Sequence, residues 1–270
     1  MPNLNKILNL LFLLLIFSAC EDTPTIVETA PISCEGTMFG LPISTTGLDT
    51  SLCKPYCECK NFVSRDFTNE QIATLRTWTL SNPYSELTSN PYDEPVAAAD
   101  SMVCAVIVED LAQKIYRLES FPNVESVDDA DAILTHHDAC GYCSTLKDFA
   151  VYAENRDVGD DVRTCMLNNL LEPFDTLVSC LQEIGFTKPC AQIWAYNGRH
   201  TQQNCFQVCI SDTIYHLPDG SLSPCLQCDE DISGPIFKAE AGRTRRNTGL
   251  ASSICRPCAE VEPVEHNYPF

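Results

Sequence analysis

The sequence predicts a mainly α, disulfide-rich helical domain with an irregular N-terminal segment and a small β-hairpin/irregular C-terminal region. Three observations carry that expectation. Seventeen cysteines in 270 residues mark a chain that works outside the reducing cytosol and uses them as cross-links. Apolar residues recur at steps of three and four through the middle of the chain, the period of a buried helical stripe. Turn-forming Gly36, Gly40, Pro42, Gly47 and Pro55 crowd a cysteine-rich N-terminal stretch instead.

Residues 1–20 read as an export signal. Lys6, the apolar run Ile7 to Phe17 and the small-residue exit Ser18-Ala19-Cys20 are the anatomy of a secretory leader. The run is shorter than the roughly 20 apolar residues a bilayer span needs, and no later segment approaches that length. Ile16-Phe17-Ser18-Ala19-Cys20 resembles a bacterial lipoprotein box, with Phe17 where Leu is usual. That resemblance implies a lipid on the Cys20 thiol and attachment to a membrane through it. Ordinary cleavage near Ala19 or Cys20 in a eukaryotic secretory pathway is the alternative. The absence of Asn-x-Ser/Thr leans toward a bacterium. Residues 21–33, beginning Glu21-Asp22 and rich in Thr, Pro and Glu, form an acidic, extended tether.

Lipidating or removing Cys20 leaves sixteen of the seventeen cysteines, an even set read as paired, with its connectivity open. Without its signal the chain keeps 250 of 270 residues, enough to bury an apolar core that disulfides supplement. Loss of Lys6 moves the formal charge from -20 to -21. So acidic a surface repels nucleic acid and anionic lipid, and binding either requires a local basic island.

Residues 34–66 form the cysteine-rich irregular segment, with Cys34, Cys53, Cys57 and Cys59. The helical domain, 67–212, opens on Thr68-Asn69-Glu70-Gln71, a capping box in which hydroxyl and amide satisfy orphan N–H groups. Ser-Asn-Pro-Tyr then occurs twice, at Ser81–Tyr84 and Ser89–Tyr92, and is read as loop. After Pro95, Cys104, Val108, Leu111, Ile115 and Leu118 fall on one helical stripe, which predicts a helix with Cys104 buried and bridged. Further helices are expected over Thr145–Glu154, Asp160–Leu171, Phe174–Ile184 and Cys190–Cys209. Gly185 ends one and Pro189 opens the next. Residues 213–270 hold a hairpin, Thr213–Leu217 turning through Pro218-Asp219-Gly220, and a region bounded by two Cys-x-x-Cys pairs.

Three segments could carry chemistry. Cys140-Gly141-Tyr142-Cys143 follows the apolar run Ala132–Leu134 and precedes a helix, with His136, His137 and Asp138 upstream. Over some twenty residues this resembles the active site of thioredoxin-fold oxidoreductases, which implies a reactive thiolate at a helix N-terminus; structural bridging is the plainer reading. Asp229, Asp231, Ser233, Pro235 and Glu240, with Gly234 at the turn, fit the donor positions of an EF-hand loop and imply weak Ca²⁺ binding. The flanks lack the helices that motif needs. Arg243, Arg245 and Arg246 form the one dense basic cluster and could bind an anion beside a short helix, Thr248–Ile254, capped by Asn247. Arg-x-Arg-Arg also resembles a furin-type processing site. Pairing with Asp229, Asp231 and Glu240 is the structural alternative.

Cys225, Cys228, Cys255 and Cys258 have the look of a four-cysteine zinc ribbon, in competition with oxidation to disulfides. No Ser-His-Asp, zinc-hydrolase, phosphate-loop, dinucleotide or haem signature is present. The expected function is that of an exported, lipid-anchored binding or surface-structural protein for a protein or small-molecule ligand, with no nucleic acid partner. The alternatives are thiol–disulfide exchange at Cys140/Cys143 and binding of Ca²⁺ or zinc.

Overall fold

The computed structural model describes residues 64–95 and 102–269, with the short pieces 37–38 and 46–48, all within one unit, Pro31–Phe270. The export signal with Cys20, the tether and most of the cysteine-rich segment lie outside the described residues. Thr68 caps the first helix, α1 (Asn69–Leu75), through the expected box: its hydroxyl accepts from Gln71 N and the Gln71 side chain accepts from Thr68 N. Ile72 and Leu75 face the core.

The stripe from Cys104 to Leu118 is not a helix. It is a hairpin, β3 (Val103–Asp110) and β4 (Ile115–Phe121), turning at Leu111–Lys114. The physical reason is visible in β3 itself. Val103, Val106, Ile107 and Val108 are β-branched, and a strand covered on both faces reads as a continuous apolar run with no alternation to betray it. Cys104 and Val106, with Tyr116 and Leu118, face the main helical core. Val103 and Ala105, with Phe121, face a smaller cluster under Val127 of α2 (Val124–Asp129). Leu111, assigned to the stripe, stands 59% exposed at the turn.

The sheet orders as β2-β4-β3-β5, where β2 is Thr79–Leu80, parallel to β4, and β5 is Ile133–His137, antiparallel to β3. A separate two-residue pairing joins β1 (Thr37–Met38) to β6 (Arg256–Pro257). Both Ser-Asn-Pro-Tyr copies are loop. Asn82 finishes the sheet edge, accepting from Leu118 N at 3.1 Å and donating to Leu118 O at 2.9 Å.

The helices expected between Thr145 and Cys209 are present, whereas α2 and the two helices at Pro224–Cys228 and Gly234–Ala241 were not expected. α3 (Leu146–Glu154) is capped by the Thr145 hydroxyl. α4 (Val158–Asn168) and α5 (Phe174–Glu183) follow. Gly185 at φ +117° breaks the chain before α6 (Lys188–Cys209), which carries Pro189 in its first turn. The C-terminal hairpin shrinks to one bridge, His216 to Leu222.

Disulfides tie these elements together. Cys104–Cys140 joins sheet to loop, Cys143–Cys190 joins that loop to α6, and Cys165–Cys180 joins α4 to α5. Cys205 and Cys209, one turn apart on α6, bond to Cys228 and Cys225 as two rungs against α7 (Pro224–Cys228). Covalent pairing on this scale marks a protein of an oxidising, extracytoplasmic compartment. Among the described residues no helix is long and apolar enough to cross a membrane.

Candidate functional site

The motif cysteines take the structural reading, disulfide bridging, and the chemical readings of the four motif sites are not met among the described residues. Cys140 and Cys143 do not pair with each other, since each is bonded elsewhere. Their loop crosses the C-terminus of α8 (Gly234–Ala241), with Tyr142 N donating to Glu240 O and Cys143 N to Ala241 O, both at 2.9 Å. The crossing is so close that a Cβ on Gly141 would lie 2.3 Å from Glu240 O. The thioredoxin-like resemblance ends at the spacing: the loop's amides cap a neighbouring helix, and no dithiol is left to react.

The acidic stretch does not form a calcium loop. Asp229–Ser233 is a single π-helical turn that runs straight into α8, and Gly234 is helical at φ -56°. Helical winding sends the five donors in different directions. Asp229 Oδ1 accepts from Thr201 Oγ1 and from Asn197 Nδ2 on α6, and Asp231 accepts from Gln227. Ser233 Oγ lies 2.9 Å from His200 Nδ1 and 2.8 Å from Thr201 Oγ1. Tyr92, from the second Asn-Pro-Tyr copy, stacks on His200 and bonds Asn197 Oδ1 at 2.8 Å. Glu240 presents its carbonyl to the Cys140–Cys143 loop, and Pro235 sits in the first turn of α8. Among the described residues no group of three His, Cys, Asp or Glu side chains could hold a metal.

Nor do the arginines form an anion cradle. Arg243 is fully buried, lies over the Phe149 ring, and donates to the carbonyls of Thr135, Cys143 and Ser144 at 3.0–3.1 Å. Arg245 donates to the carbonyls of Tyr152, Asn155 and Ala251, and burial pulls its guanidinium down to about 10. Among the described residues only Arg246 of the three pairs with acids, and these are Glu230 and Glu260, not Asp229, Asp231 or Glu240. Residues 248–254 are turn and irregular chain, so the helix that Asn247 was to cap is absent. A zinc ribbon is ruled out by oxidation: Cys225, Cys228, Cys255 and Cys258 are all in disulfides, which leaves no thiolate for the ion.

What the fold does build is a cavity of about 580 Å³ between α4, α6, α7 and α8, closed on one side by the chain around Arg245 and Leu250. Val162 and Met166 on α4, Trp194 on α6, Leu226 on α7 and Phe237 on α8 make its walls apolar. Trp194 and Phe237 sit with ring centroids 4.5 Å apart. Gly198 allows Met166 to lie on α6, since a Cβ there would meet the Met166 Cε at 1.8 Å. At the edge, Leu167, Phe206 and Ile210 line the cavity yet stand 60%, 43% and 67% exposed. These side chains form an apolar lip.

Charge on the walls is unlike charge elsewhere. Arg156, Arg163, Lys238, Arg245, Arg246 and Arg256 face Asp157, Asp229 and Glu230 there, a local net of +3 in a chain of -20. Glu230 is shared by three cations: Arg256 at 2.6 Å, Arg246 at 2.7 Å and Lys238 at 3.1 Å. Burial alone would raise the Glu230 carboxyl; these three neighbours outweigh it and hold it at about 2. Asp229 carries no such company, and burial raises its carboxyl despite the Thr201 bond. Asp157 accepts from Tyr215 OH at 2.9 Å through Oδ1, while its Oδ2 is buried with no donor. Arg163 has a carbonyl partner, Asp212 O, and no carboxylate among the described residues.

Sequence reasoning missed this site because its walls come from four helices and two loops, and a void leaves no motif. One signal was present. Met166-Leu167 and Leu170-Leu171 are apolar doublets a turn apart on and just after α4, more than one buried face requires, and Leu171 is 93% exposed.

A family of unknown function, DUF8771, matches residues 174–264. That segment is less than half of the chain. It includes the cavity walls from α6, α7 and α8 and both rungs of the Cys205/Cys209 ladder, and it leaves α4 outside. No curated protein and no solved structure matches.

Proposed function

We propose that this is an exported binding protein whose ligand is a small apolar or amphiphilic molecule held in the cavity between α4, α6, α7 and α8, with the protein kept at a membrane by a lipid on Cys20. The cavity carries this reading. Its volume of about 580 Å³ falls inside the roughly 300–1,000 Å³ range of small-molecule sites, which are mostly apolar with a few placed polar groups. The exposed lip of Leu167, Phe206 and Ile210 supports it further, since apolar side chains at an opening favour entry of an apolar chain over water. The disulfide ladder supports it from the other side. Cys209 and Cys225 are themselves part of the wall, so the pocket is covalently preformed and little ordering entropy opposes binding.

Calorimetric titration of the oxidised protein with decanol tests the reading. Saturable binding is expected, and decanol at about one hundred times Kd should stabilise the fold by about 2.7 kcal/mol. Leu226→Trp, which fills the cavity from α7, should abolish both effects while the protein stays folded. Decanol heats equal in wild type and Leu226→Trp would overturn the assignment.

A further inference from the structure

The cavity also indicates which amphiphile it takes. A chain with formal charge -20 repels anions over its surface in general, and only a concentrated basic region reverses that. Six of its seventeen Lys and Arg residues line this one cavity against three carboxylates. Four of the six already pair with carboxylates. Arg156 pairs with Asp66, and Lys238, Arg246 and Arg256 share Glu230, with Glu260 added at Arg246. Arg245 is spent on three backbone carbonyls.

Arg163 is different. Half-buried on α4, it gives one Nη to the Asp212 carbonyl and meets no carboxylate among the described residues. A guanidinium carries five N–H donors in a planar fork suited to a carboxylate, sulfate or phosphate. Its place in the cavity matters as much as its charge. Leu167 lies one helical turn on, along the same face of α4, and Asp212 follows Ile210 by two residues. Arg163 therefore stands beside the lip, where the head of a molecule inserted tail-first comes to rest. Asp160, three residues before it on α4, and Asp157, the N-cap, are the nearest carboxylates in sequence on that side; Asp157 holds Tyr215 OH, and neither forms an ion pair with Arg163 among the described residues.

We propose that the cavity takes a single-chain amphiphile with an anionic head, its tail among Met166, Trp194 and Phe237 and its head on Arg163 at the mouth. This rests on the cavity reading above and adds the ligand class to it. Titration of the oxidised protein with decanoate, decanol and decyltrimethylammonium, each below its micelle concentration, tests the two separately. Decanoate should bind at least tenfold tighter than decanol, decyltrimethylammonium most weakly, and added salt should narrow the gap. Arg163→Gln should weaken decanoate at least tenfold while changing decanol affinity far less, so that the preference disappears, with an unchanged urea midpoint showing that the variant is folded; Arg163→Lys should restore part of the preference. Equal affinity for decanoate and decanol in the wild type, or a preference that survives Arg163→Gln, would overturn the anionic class while leaving the cavity reading standing. Failure of all three probes to bind would overturn both.

Discussion

Arg243 shows how far a residue's role can sit from its motif. In sequence it belongs to a basic cluster; in the fold it is an internal strut whose fork reaches β5, the Cys140–Cys143 loop and the start of α3 through the carbonyls of Thr135, Cys143 and Ser144. Removing the guanidinium leaves those carbonyls buried without donors, each costing about 1–3 kcal/mol. Arg243→Met should therefore lower stability by about 3 kcal/mol or more, read as a drop in urea midpoint, and Arg243→Lys should fail to rescue it because an ammonium cannot span the same acceptors. A midpoint near wild type would show that the strut is dispensable. The same limit applied to cysteine. Cys140-x-x-Cys143 was legible as a loop before a helix, but its true partners lie 36 and 47 residues away, and nothing in four adjacent residues encodes such a distance.

Among elements, several helices were legible where local chemistry set their ends, although α2 and α7 escaped despite their Asn123 and Ser223 caps. Thr68 with Gln71, Thr145, Gly185 and Pro189 all stand where caps and breakers belong. The hairpin was not legible, because Cys104, Val108, Leu111, Ile115 and Leu118 satisfy a helical period by coincidence while both faces of β3 are covered. Only tertiary context separates a buried strand from a buried helix in such a run. The disulfides act at this scale as well. Cys165–Cys180 closes a loop of 15 residues between α4 and α5, and a loop of that length is worth about 3 kcal/mol through the unfolded chain. Replacing both cysteines by serine should lower stability by about that amount in equilibrium urea unfolding, with the other bridges intact by peptide mapping. A loss below about 1 kcal/mol would mean that the packing of α4 on α5 carries the junction alone.

At the scale of the molecule, the pH response follows from groups the fold buries. Burial depresses His136 and His216, and it takes His266 down to about 3. Unfolded, each ring takes up its proton near the ordinary 6.5, so the unfolded chain binds more protons as pH falls. The stability these neutral rings contribute is present above about 6.5 and is lost on acidification, by up to about 1.4 kcal/mol per unit for each ring. Asp148 acts with the opposite sign. Burial raises its carboxyl to about 6 even though Thr145 and Thr187 donate to it. Its contribution is full below the unfolded carboxyl value and is lost as pH rises through about 6. Burial raises Asp229, Asp161, Glu240 and Glu262 in the same sense as Asp148, while Glu230, held low, loses its contribution in acid as the rings do. Three wholly neutralised rings outweighing the carboxyls should leave the protein less stable at about pH 4.5 than at about pH 7, measured by urea midpoint at each pH; an unchanged or higher midpoint in acid would contradict that balance.

Charge has the same global character. A composition of -20 argues against anionic partners only on average, and the cavity is the place where the average fails. The most direct test of that cavity is the methyl spectrum of methionine-labelled protein titrated with decanoate. Met166 lies in the wall against Gly198, whereas Met102, which does not line the cavity, supplies an internal control. The account predicts a saturable shift of the Met166 methyl with Met102 unmoved. Binding that leaves Met166 unmoved, or no binding at all, would contradict it.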